Sequence, residues 1–209
     1  MVKRITYLTR RADLTPAQFS AHWSTTHADI ARDLPGVVAY RQNHIVWYED
    51  EARTRFFDTD GVVELWFEDA ESAAAGFGSD VADRLVVDER NFLSGLTGSA
   101  VVAPAPADGR LGKLWLLWAV SDRDHGGFDA AITKFAARTE ADSVQVNLLA
   151  EDAPVLWRAG LRRQKLPAVA VALSYDTVAA ARMAADAVRL CVATLGRPQR
   201  AVAEEVPII

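Results

Sequence analysis

Ala103-Pro104-Ala105-Pro106-Ala107-Asp108-Gly109 divides the sequence. Its two prolines lack backbone N–H groups and its other residues are small, so it neither continues a helix nor pairs in a sheet and reads as a linker. On both sides of it the same order of elements occurs. Upstream, Val2–Arg10 carries Ile5, Tyr7 and Leu8 and reads as a strand. Thr15-Pro16-Ala17-Gln18 opens a helix: Thr15 caps, Pro16 suits the first turn and Gln18 stands at capping-box spacing. Phe19, Trp23, His27, Ile30 and Leu34 recur on one helical face until Pro35-Gly36 ends it. Val37–Tyr48 is a second, longer strand, Glu49–Asp60 a charged loop and Val62–Phe67 a third strand. Glu68–Ala75 is helical, an irregular or helical stretch runs on to Leu96, and Ser99–Val102 is the fourth strand.

Downstream of the linker, Leu114–Val120 is a strand apolar enough to be covered on both faces. Phe128–Arg138 is a helix, Ser143–Leu149 and Ala168–Tyr175 are strands, Val178–Leu195 is an Ala-rich helix, and Arg200–Val206 closes the set. Each half thus reads β-α-β-β-α-β, the ferredoxin-like split unit. The expected fold is α+β: two tandem ferredoxin-like repeats, residues 1–103 and 111–209, joined by a linker over 104–110. A ferredoxin-like sheet covers one face with helices and leaves the other bare. Packing the two bare faces together would make a barrel within one chain, with a space between the sheets. Two independent domains would leave each bare face wet.

The composition narrows the function. Acidic residues outnumber basic ones, for a net charge of −5, which argues against a nucleic-acid partner. Arg158, Arg162, Arg163 and Lys165 form a modest basic cluster, read as a solvated loop rather than an anion site. The single cysteine, Cys191, allows no intrachain disulfide. Met1-Val2-Lys3-Arg4 leads straight into a strand, which reads as no signal peptide, and no apolar run approaches the ~20 residues of a membrane span. A cytoplasmic setting is the expectation, with no membrane partner. His22 and His27 are five residues apart, ~140° around an α-helix, and do not form a chelating pair. No nucleotide loop or serine-elbow motif is present.

Strand alternation nominates the site. Tyr40, Gln42 and His44 share one face of the second strand, and Glu64 and Trp66 share one face of the third. Val63, Leu65 and Phe67 make the better helix-packing face, so Glu64 and Trp66 should face the space between the sheets. By polarity Tyr40, Gln42 and His44 are assigned to the same space. There Glu64 would have a raised pKa and could act as a base. Trp66, Trp115 and Trp118 could line a cavity for a planar ligand.

Phe19-Ser20-Ala21-His22-Trp23-Ser24-Thr25-Thr26-His27, Leu34-Pro35-Gly36, Tyr40-Arg41-Gln42-Asn43-His44 and Asp88-Glu89-Arg90-Asn91-Phe92 together resemble the EthD family. The resemblance covers residues 1–105 and implies the dimeric α+β barrel superfamily, in which two ferredoxin-like units pair through their sheets. The second half keeps the element order without the motif, so it resembles a degenerate copy. The resemblance moves His27 from a packed helix-end histidine toward a functional one. Candidate catalytic groups are then His27 and His44 as acid/base, Tyr40 as a donor to a substrate oxygen and Glu64 as a base, with Trp23, Gln42, Trp66 and Phe92 as substrate contacts. The expected function is a cofactor-independent enzyme of lyase or isomerase type, moving protons on a small apolar or aromatic organic molecule. A non-catalytic binding protein is the alternative, and a haem-binding or oxygenase-type barrel with His27 or His44 as axial ligand is a third. No metal is expected. The assembly is a monomeric barrel or a homodimer of barrels.

Overall fold

A computed structural model of the chain describes residues 1–49, 57–102, 105–106, 109–119, 127–150, 152–191 and 196–209. Most of the loop expected over 49–60, part of the linker, Val120, the end of the last helix and the Cys191 side chain lie outside what is described.

The first half contains β1 (Val2–Arg10), α1 (Pro16–His22), a π-helical turn (Trp23–His27), α2 (Ala28–Ala31), β2 (Val37–Tyr48), β3 (Gly61–Phe67), α3 (Ala70–Phe77), α4 (Asp80–Phe92) and β4 (Leu93–Val102). The second contains β5 (Gly112–Trp118), α5 (Phe128–Arg138), β6 (Ser143–Leu149), the two-residue β7 (Leu156–Trp157), β8 (Val169–Tyr175), α6 (Val178–Cys191) and β9 (Gln199–Pro207). The Thr15 capping box is present, with its hydroxyl accepting from Gln18 N. The fourth strand begins at Leu93 rather than Ser99, directly after α4, because the helix ends where Leu93 turns extended.

Eight of the nine strands close into an antiparallel barrel in the order β1-β3-β2-β9-β5-β8-β6-β4 and back to β1. The first-half strands stand as β4-β1-β3-β2 and the second-half strands as β9-β5-β8-β6, the same relative order. One seam is long: β2 runs beside β9 from Arg41↔Pro207 to Tyr48↔Ala201. The other is short, because β6 reaches β4 only at Val101 and Val102. There β7 takes up the rest of the β4 edge at Thr97 and Gly98. β2 is therefore an interior strand, not an edge.

Three apolar clusters result. One lies inside the barrel around Ile5, Tyr7, Val62, Trp115 and Leu117. The other two lie outside it, each between one half's helices and its sheet. As expected, β5 is buried on both faces. Among the described residues, the barrel interior is occupied by buried apolar and charged side chains. Beside its apolar cluster runs a chain of buried ion pairs, Lys3–Glu64 at 2.6 Å, Glu64–Lys113 at 2.6 Å, Lys113–Glu205 and Glu205–Arg41 at 3.2 Å. Gln145 and Asn147 accept further hydrogen bonds from Lys3. This chain links strands of both halves.

Candidate active site

The site begins with a local distortion. Ser24 Oγ donates to Ser20 O at 2.8 Å and Thr25 Oγ1 to Ala21 O at 2.7 Å. Hydroxyls that bond back to a preceding turn compete with the helical ladder, and here the helix widens to π geometry over Trp23–His27. In a widened turn residues five apart fall on one side. His22 and His27 therefore converge instead of diverging as an α-helical spacing requires. His22 Nε2 lies 2.9 Å from Asp88 Oδ1, and His27 Nδ1 lies 2.9 Å from Asp88 Oδ2. Asn91 Nδ2 also donates to Asp88 Oδ1.

Burial alone would raise the Asp88 carboxyl. The hydrogen bonds from His27, Asn91 and His22 outweigh it and hold the group at about 2. Asp88 is thus an ionised acceptor at neutral pH, so His27 must carry its proton on Nδ1. Its Nε2 has no protein partner among the described residues and, in the neutral ring, presents a lone pair. Phe92 packs 5.0 Å from the His27 ring and holds it from behind.

His27 lines a cavity of about 60 Å³ between the helix layer and the outer face of the first-half sheet. The walls are apolar, with Leu8, Val63, Leu85 and Leu96 among them. The other polar side chains there are Thr6, Tyr40, Glu89 and Arg158. Tyr40 Oη accepts from Trp23 Nε1 at 3.2 Å and from Gln42 Nε2 at 2.9 Å. Two accepted bonds leave the tyrosine's own proton as a donor, and burial pushes its pKa up to about 12, so it stays protonated. Burial also raises Glu89, against the opposing pull of Arg158, whose Nε donates to Glu89 Oε2 at 2.8 Å.

The sequence-nominated residues separate into two compartments. His27 and Tyr40 line this cavity. Trp23 and Phe92 pack behind it, with the Trp23 indole against Gly61, where a Cβ would lie 2.5 Å from the ring. Tyr40, Gln42 and His44 face the helices, not the barrel interior. The polarity argument misplaced them because the helix α1 and the π turn supply polar partners on that side. Gln42 Nε2 donates to Trp23 O at 2.8 Å, which fixes its amide and leaves Oε1 as acceptor for His44 Nε2–H at 3.0 Å. His44 Nδ1 then accepts from Ser20 Oγ at 2.8 Å. Both ring nitrogens are engaged, and burial lowers the ring's pKa to about 4. His44 is a neutral structural group, not an acid/base.

Glu64 and Trp66 do face the barrel interior, on the opposite side of the sheet from the cavity. The expected rise in the Glu64 pKa is reversed: burial favours the acid, but the ammonium groups of Lys113 and Lys3 outweigh it and push the pKa down. It is an ion-pair partner and no base. Trp115 joins Trp66 inside, whereas Trp118 packs in the second half's outer core. Asp88, Glu89 and Arg158 carried no assigned role in the sequence reading. Arg158, read with its neighbours as a solvated loop residue, is an ion-pair partner at the cavity. The cavity at His27 is far below the size of a haem macrocycle, and both His44 ring nitrogens are engaged. Among the described residues no three His, Cys, Asp or Glu side chains are placed to hold a metal ion, and no helix is long and apolar enough to cross a membrane.

The closed antiparallel barrel with helices outside places the chain among α+β barrel proteins. An anthrone oxidase-like protein superposes with a TM-score of 0.57 at 12% identity, covering 98% of this chain and 91% of the other. A monooxygenase-like protein from Lactobacillus acidophilus NCFM gives 0.53 at 13% identity, over 100% and 94%. Another from Fusobacterium nucleatum gives 0.57 at 8% identity, over 100% and 92%. These likenesses define the fold. Residues 11–95 match the model of the EthD domain family. No curated protein matches.

Proposed function

We propose that the chain is an enzyme that moves a proton on a small apolar or aromatic molecule bound in the helix–sheet cavity. His27 Nε2 removes a proton from a C–H or O–H group next to a carbonyl or on a phenol. Asp88 holds the ring through Nδ1–H and stabilises the imidazolium that forms. Tyr40 donates its hydroxyl proton to the oxygen that gains charge. The observation that carries this reading is the Asp88–His27 pair, with Nε2 left free at an apolar cavity. Return of the proton from the His27 imidazolium to another carbon completes an isomerisation, and its delivery to a β-hydroxyl, which leaves as water while the C=C bond forms, completes a dehydration; neither needs a cofactor. The names of the structural neighbours favour a second outcome, in which the deprotonated substrate reacts with dioxygen.

Acetone, small enough for the cavity and with methyl protons acidified by its carbonyl, tests the first step. In D₂O the wild type should exchange those protons faster than buffer, and His27→Ala should lose most of the gain, roughly 10²–10⁴-fold for a general base. Oxygen uptake in the same assay separates the oxidative outcome from the isomerising one. Exchange unaffected by His27→Ala would refute the assignment.

We also propose that the two halves are tandem ferredoxin-like repeats, residues 1–103 and 111–209, the second having kept the frame and lost the site. The matching strand order supports this, as does the largely apolar core beneath α5 and α6, where the first half has its cavity.

A further inference from the structure

Phe77 and Leu156 form one wall of the candidate cavity and, on their other side, one wall of an open groove of about 680 Å³. The groove is floored largely by alanines, among them Ala70, Ala73 and Ala74 of α3 and Ala100 of β4. Its unusual member is Arg4. Arg4 Nε is buried without a hydrogen-bond partner, and among the described residues no carboxylate stands within ion-pair distance of the guanidinium. It rests over the Phe77 ring at 4.9 Å. Asp152 also borders the groove but is exposed and makes no pair with Arg4. Arg158, which lines the cavity paired with Glu89, is near enough to act on Arg4 electrostatically.

A partly desolvated charge without a counter-ion is unfavourable, and proteins hold such groups where a ligand completes them. A guanidinium matches a carboxylate with two parallel hydrogen bonds. We propose that Arg4 binds the carboxylate of an apolar carboxylic acid whose hydrocarbon part lies along the alanine floor, with Phe77 and Leu156 between it and the cavity. This is a second site beside the cavity, and it goes beyond the reading of the cavity given above. The binding itself does not depend on His27.

Octanoate and 1-octanol, titrated separately by calorimetry into the full chain, test it. Wild type should bind octanoate at least tenfold more tightly than octanol. Arg4→Gln should remove that preference and leave octanol binding unchanged, and Arg4→Lys should retain octanoate within a few fold. His27→Ala should bind octanoate like wild type, so the binding assignment can stand if the catalytic one fails. Equal affinity for the two probes, no octanoate binding, or octanoate binding untouched by Arg4→Gln would each overturn the proposal. Should Arg4→Gln lose octanol as well, the folded Arg4→Lys decides: loss of octanoate by a variant that keeps the charge also overturns it.

Discussion

At the scale of single residues, the two histidines of the polar face illustrate how partners decide chemistry. His27 spends one nitrogen on Asp88 and keeps the other; His44 spends both, on Ser20 and Gln42. Burial holds the His44 pKa at about 4 against 6.5 for the free ring. The folded protein therefore stays neutral there while the unfolded chain takes up a proton. This contribution to stability is fully present above about pH 6.5 and is lost as the pH falls toward 4, about 3 kcal/mol in all. Chemical denaturation at a series of pH values should show that slope, and His44→Gln should flatten it. A wild-type stability that is level between pH 6.5 and 4 would contradict the buried neutral ring. His27 and Tyr40, which line the cavity, were legible as candidates through the motifs that resemble the EthD family. Asp88 was not, since what makes it matter is a partner 61 residues away in sequence.

At the scale of elements, strand alternation and helix periodicity recovered most of the elements, and Val2–Arg10, Val37–Tyr48, Phe128–Arg138 and Ser143–Leu149 were bounded as observed. Alternation cannot say which side of a strand is inside when both sides are buried. That is why Tyr40, Gln42 and His44 were assigned to the wrong compartment. The π turn was misread for a related reason: an assumed α-helix separates His22 from His27. The run Ser24-Thr25-Thr26 in mid-helix was the available signal, because such hydroxyls bond back to the preceding turn. Replacing Ser24 and Thr25 by alanine should favour regular α geometry and draw His22 away from Asp88. The imidazole ¹⁵N signals of His22 and His27 should then move, and acetone exchange should fall about tenfold or more through misplacement of the base. Unchanged signals would show that the hydroxyls do not hold the turn.

At the scale of the whole molecule, the barrel closes through ion pairs that no single half contains. Lys3, Arg41 and Glu64 come from one half, and Lys113 and Glu205 from the other. Removing one charge from such a buried chain leaves its partners uncompensated, so Glu64→Gln should cost about 3–5 kcal/mol of stability, measured by denaturant unfolding. The second half also reaches into the first half's site, because β7 follows the short seam along β4 and brings Leu156 and Arg158 to the cavity. The candidate site thus lies outside the barrel and the structural charge inside it. The most direct test of that division is the rate of acetone proton exchange in His27→Ala and Glu64→Gln, compared at a temperature where both are folded. The account predicts exchange near the buffer rate for His27→Ala and near the wild-type rate for Glu64→Gln. A wild type no faster than buffer, or loss of exchange in Glu64→Gln with His27→Ala still active, would contradict it.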